Sequence, residues 1–167
     1  MKKIIIIIFL IFLAIPTFAE YKPIPKELSK QYKIEVEKII NIKYNKTQKK
    51  ISSIYKKATK DYKKVFKDKN TYIDFASSNY DITIFSPIFY LLSDIIALTN
   101  KYVDIKDDIP HTDFSGTLYD FLQPYFDDNN INTLKINTLS KNAREKQKQI
   151  EYYYETAHKF IYPSNNY

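Results

Sequence analysis

Ser86-Pro87-Ile88-Phe89-Tyr90-Leu91-Leu92-Ser93-Asp94-Ile95-Ile96-Ala97-Leu98 is the stretch on which the fold turns. Serine before proline marks a helix start. The serine hydroxyl can cap a free first-turn N–H, and proline's missing N–H costs nothing in that turn. The residues that follow, to about Tyr102, are apolar on nearly every side, which predicts a centrally buried helix. Ser93 and Asp94 interrupt the run, so no bilayer span is expected in the mature chain; spanning takes about 20 apolar residues.

Upstream, residues 26–68 contain neither Gly nor Pro, while Pro23 and Pro25 keep the entry extended. Ile51, Tyr55, Ala58, Tyr62 and Val65 recur at spacings of 4, 3, 4 and 3, a narrow apolar seam on a helix. Leu28, Tyr32, Val36, Ile39, Ile40 and Tyr44 do the same less regularly. Between them lies the polar run Asn45-Lys46-Thr47-Gln48-Lys49-Lys50, where the helix either turns back or continues exposed. Residues 70–85 read two ways: Ile82-Thr83-Ile84 alternates like a strand, and Ile73, Ala76 and Tyr80 fit a helical face.

Downstream, Asp113 can cap a helix over 114–122 that Pro124 ends, and Asp127-Asp128-Asn129-Asn130 reads as a solvated turn. A last helix is expected from about Leu139 to Ile161, burying Leu139, Ala143, Ile150, Tyr154, Ala157 and Ile161, with Pro163 as its stop. A single Gly in 167 residues argues against a β-rich fold with many tight turns. The expected fold is all-α: an antiparallel bundle of four or five helices, the apolar helix lying between the long N- and C-terminal ones. A continuous helix over 26–68 would make it elongated.

The first residues read as an address. Lys2 and Lys3 precede the apolar run Ile4–Ile15, Pro16 breaks it, and Thr17-Phe18-Ala19 offers small residues for cleavage. The expectation is a signal peptide over 1–19, cleaved after Ala19, and a single helical domain over 20–167, periplasmic or secreted.

Composition narrows the chemistry. There is no Cys, hence no disulfide framework, thiol nucleophile or thiolate metal site, and one Gly leaves no Gly-rich phosphate loop. Ile, Lys, Asn and Tyr number 26, 25, 12 and 16, all with A/T-rich codons, so lysine abundance by itself is weak evidence for any ligand. Its placement says more. Residues 20–69 hold 16 Lys against 6 acids, residues 70–134 hold 2 Lys against 10 acids, and residues 135–167 hold 6 cations against 3 acids. Lys43, Lys46, Lys50, Lys57, Lys60, Lys64 and Lys67 lie at spacings of 3, 4, 7, 3, 4 and 3, on the helix face opposite the apolar seam. They form either a solvated face or a surface for an acidic envelope polymer, lipopolysaccharide or anionic lipid. Nucleic acid is disfavoured by the export signal. The acidic middle of the chain can also neutralise the basic helices within one molecule or between copies.

Tyr152, Tyr153 and Tyr154 point in three directions around the last helix, so at least one is expected to be exposed and available to a partner. His111-Thr112-Asp113, with Asp104, Asp107 and Asp108, can be imagined as a cation loop of a small metal-dependent hydrolase, but its spacing matches no metal motif. His158 reads as a surface residue. Ser115-Gly116 lacks a nucleophile elbow, and nothing singles out an acid–base pair. The sequence reading is therefore an exported helical binding protein without catalytic activity, cofactor or metal. Its contact residues would be the seven lysines and the three tyrosines, and its partner another protein, its own copies or an acidic polymer.

Overall fold

A computed structural model describes residues 21–103 and 115–163, and among these the ordered elements are all helical. The expected leader over 1–19, Asp113 and the residues around His111 lie outside the described residues.

Helix α1 spans Lys26–Val65 without a break, about 60 Å at 1.5 Å per residue. Pro25 stands at its N-cap, and the Pro25 carbonyl takes the Leu28 N–H at 2.9 Å. The polar run does not turn the chain because Thr47 is buried within it. Thr47 continues the sequence of buried positions Tyr32, Val36, Ile40, Ile51, Ala58 and Val65. Past Val65, a short 3₁₀ turn (Lys69–Thr71) forms where the Asp68 carboxylate accepts the Asn70 N–H at 3.0 Å.

Residues 70–85 are helical. Helix α2 (Tyr72–Ser77) and helix α3 (Tyr80–Thr83) are separated by Asn79, whose φ of 46° sits in the left-handed region that asparagine tolerates. Phe75 and Tyr80 face inward, whereas Ile73 points to solvent. Helix α4 (Ser86–Val103) begins where expected, but the Ser86 hydroxyl donates to the Thr83 carbonyl at 2.9 Å instead of capping an N–H. The chain arrives from α3 already helical, so no free first-turn donor needs that cap. Helix α5 (Ser115–Asp128) runs through Pro124 instead of stopping there. Pro124 and Asp120 are both exposed, so water can take the carbonyl that proline leaves unpaired, while buried Leu118, Leu122, Tyr125 and Phe126 hold the helix down. Asn130, with φ 51°, turns the chain into α6 (Leu134–Ile161), which starts five residues before Leu139.

The expected order of packing is corrected. Helix α1, not α4, is the shared element: it packs along both α6 and α4, and α5 packs against α4. Direction is corrected as well. Tyr32 meets Thr99 and Lys43 meets Asp94, so α4 runs antiparallel to α1. Lys135 meets Asn41 and Tyr55 meets Tyr153, so α6 runs parallel to α1. The long return through α4 and α5 brings the chain back to the start of α1, which leaves α6 no other direction.

Helix α4 is apolar less evenly than its sequence suggests: Ile88, Leu91, Leu92, Ile95 and Ile96 are buried, while Tyr90 and Ala97 are exposed. Contrary to the sequence expectation, the helical stretch Tyr80–Val103 is long and apolar enough to cross a membrane by length and composition. Its best 18-residue window has a mean hydropathy of 1.8, and 44% of that window is buried against the other helices.

Candidate functional site

Two regions of the surface bring chemistry-bearing residues together. The first is the outer side of the C-terminal half of α1. The seven lysines marked by spacing do not form one uniform face. Lys43 is half-buried and pairs with Asp94 of α4. Lys57 places its ammonium 5.7 Å from the centre of the Tyr80 ring. Lys64 pairs with Asp61 at 2.7 Å, and the same carboxylate accepts the Tyr80 hydroxyl at 2.8 Å. Burial tends to raise the Asp61 carboxyl, but hydrogen bonds from Lys64 and Tyr80, with the charges of Lys64 and Lys57, outweigh it and hold the group below its ordinary value. Lys46, Lys50, Lys60 and Lys67 are exposed.

A tighter cationic set lies beside that spiral. Lys56, Lys60, Lys63, Lys64 and Lys67 line a shallow depression of about 440 Å³ with Thr59. Lys56 and Lys63 were missed by the sequence reading, although the signal was present. From Lys56 the spacings to Lys60, Lys63 and Lys67 are 4, 3 and 4, diametrically across the helix from Ala58 and Val65. The stripe chosen from Lys43 onward instead drifts around the helix toward α4, where its first member is consumed by Asp94.

The parallel course of α1 and α6 sets aromatic rings next to these lysines. Tyr153 stacks on Tyr62, centroids 4.3 Å apart with 11° between planes, and its hydroxyl lies 3.0 Å from that of Tyr55. The Tyr154 hydroxyl accepts the Tyr80 N–H at 2.8 Å, and its ring lies 4.7 Å from Phe75. Both tyrosines are therefore engaged within the fold. Tyr152 alone of the three is open to solvent, at 62% exposure. Burial, with the neighbouring phenols Tyr152 and Tyr153, pushes the Tyr62 phenol above its ordinary value. Phe66 and Phe160 sit 4.7 Å apart and partly exposed at the same end, with the Lys69 ammonium 5.0 Å from the Phe160 ring.

The second region is a groove of about 970 Å³ between α5 and α6, floored by α3 and α4. Helices α5 and α6 do not pack along each other, and α4 touches α6 only lightly, so a channel remains over Leu92, Phe85 and Ile82. Lys141, Arg144, Lys148 and Glu145 stand on the α6 wall; Asp81 and Asp120 stand on α3 and α5. None of these six is ion-paired within the described residues. The sequence reading passed over this groove, because its walls come from four helices and no single one carries a motif.

The other polar candidates have structural roles. Asn129 is buried, donates to the Tyr125 carbonyl at 2.8 Å and accepts the Ser29 hydroxyl at 2.6 Å, while Asp128 accepts the Tyr21 hydroxyl. His158 is exposed, its ring 5.0 Å from that of Tyr162. Among the described residues no three His, Asp or Glu side chains gather closely enough to hold a metal ion. Comparison with protein-family models, with curated proteins and with solved structures finds no match.

Proposed function

We propose that this chain is an exported helical bundle protein that acts by binding, and that its lysine-rich side on α1 docks an acidic envelope polymer. The observation that carries this reading is the row Lys56, Lys60, Lys63 and Lys67: exposed, evenly spaced, and meeting no carboxylate among the described residues. Helix α1 sets Lys56, Lys60 and Lys63 along about 10 Å, and Lys67 follows in the turn just past Val65. A straight row of single charges suits a polymer of repeating anions better than one compact phosphate, for which arginine forks are the usual partners. Phe66, between Lys63 and Lys67 in the chain, and Phe160, 4.7 Å from it, are partly exposed at the end of the row and add apolar contact. The export part rests on Lys2, Lys3 and the Ile4–Ile15 run.

The test is binding of mature protein, beginning at Glu20, to polyphosphate as a generic linear polyanion, followed by calorimetry from 20 to 500 mM salt. Affinity should fall steeply with salt, and neutral dextran should not bind. Absence of binding at low salt, or an affinity indifferent to salt, contradicts the reading.

A further inference from the structure

The groove between α5 and α6 differs in kind from the lysine side. Its volume of about 970 Å³ lies at the upper end of the range of about 300–1,000 Å³ for ligand sites. Its floor is apolar, and its charges are of both signs: Lys141, Arg144, Lys148 and Glu145 on α6, with Asp81 and Asp120 facing them from α3 and α5. Three ligand chemistries can be compared against that lining. A polyanion would meet Asp81 and Asp120 as well as the cations, and like charges repel it. A wholly apolar ligand would strip water from six charged groups and return no partner to any of them. A peptide that carries acidic, basic and apolar side chains satisfies all three surfaces at once.

Arg144 sharpens the comparison. It is the single Arg in a chain with 25 Lys, and it stands in this groove with Lys141 three residues before and Lys148 four residues after, on one helix face. A planar guanidinium offers a carboxylate two parallel hydrogen bonds, which lysine cannot. Gly116 also lines the groove, and a Cβ there would meet no atom within 4 Å.

The geometry points to a peptide-binding groove. A short amphipathic segment of another protein lies between α5 and α6, its carboxylates toward Lys141, Arg144 and Lys148, its cation toward Asp81 and Asp120, and its apolar side chains on Phe85 and Leu92. This is a known way for helical proteins to take a partner segment.

The experiment is panning of a phage-displayed random dodecapeptide library on the mature protein, with an unrelated helical protein as background. Enriched peptides are then titrated against the parent, Gly116→Phe and Arg144→Glu. Gly116→Phe plugs the groove from an open position, and Arg144→Glu changes an exposed side chain. Circular dichroism checks both, and Arg144→Glu keeps the test alive if the first misfolds. Enriched peptides should mix apolar, acidic and basic residues and lose at least tenfold in affinity for each folded variant. No enrichment over background, or peptides that hold both variants as tightly as the parent, overturns the proposal. Polyphosphate binding by the same parent protein, measured in parallel, separates the two ideas: a protein that binds the polymer yet selects no peptide refutes the groove alone.

Discussion

The Tyr32 hydroxyl on α1 lies 2.8 Å from Thr99 Oγ1 on α4, with both residues fully buried. Thr99 gives its own proton to the Ile95 carbonyl at 2.8 Å, so Tyr32 is the donor in this pair. The bond fixes the register of the two helices near the N-terminal end of α1. Tyr32→Phe removes the donor and leaves Thr99 Oγ1 with an unfilled acceptor, so stability should fall by about 1 kcal/mol. Burial pushes the Tyr32 phenol up to about 12. Because the folded state holds this proton more tightly than the unfolded chain, the associated stability is complete below pH 10 and lost as pH rises toward 12. Chemical denaturation followed between pH 8 and 12 should show that decline, and Tyr32→Phe should flatten part of it.

Continuity of α1 through its polar middle is open to direct measurement. Spin labels at Lys30 and Lys63, both exposed, should lie about 50 Å apart along one helix. A distance below about half of that would mean a turn at Asn45–Lys50. Lys49→Pro should cost about 3 kcal/mol or more, since it breaks an interior helical bond at an exposed site. Thermal melts of the variant against the parent measure that loss.

The three consecutive tyrosines separate structural from available rings. Tyr153→Ala removes the stack on Tyr62 and should cost about 2 kcal/mol. Tyr152→Ala, at an exposed position, should change stability by less than about 0.5 kcal/mol. Equal losses in denaturant titrations of the two would show that the orientation of this turn of α6 is wrong.

The all-α class was legible because it depends on patterns that single segments carry: the Ser86-Pro87 start, the seam from Ile51 to Val65, and the scarcity of glycine. The packing was less so. A run apolar on most sides reads as central, yet Ala97 and Tyr90 face solvent, while the shared position goes to α1, which packs against both α4 and α6. Strand direction has no counterpart signal in helices joined by long connections, so the parallel course of α6 could not be read from the chain. Pro124 failed as a stop because its cost falls on an exposed carbonyl, which sequence alone does not reveal. The lysine side was half visible: its spacing was there, but the choice among several overlapping lysine series depends on where Asp94 and Asp61 stand.

The account turns on the row Lys56, Lys60, Lys63 and Lys67 as a docking surface for an acidic polymer. Its most direct test is the affinity of mature protein for polyphosphate at 50 mM salt, before and after Lys56→Glu, Lys60→Glu and Lys63→Glu are combined. These side chains are exposed, so the fold should persist by circular dichroism. Affinity should drop at least tenfold; a folded triple variant that binds as tightly as the parent contradicts the account.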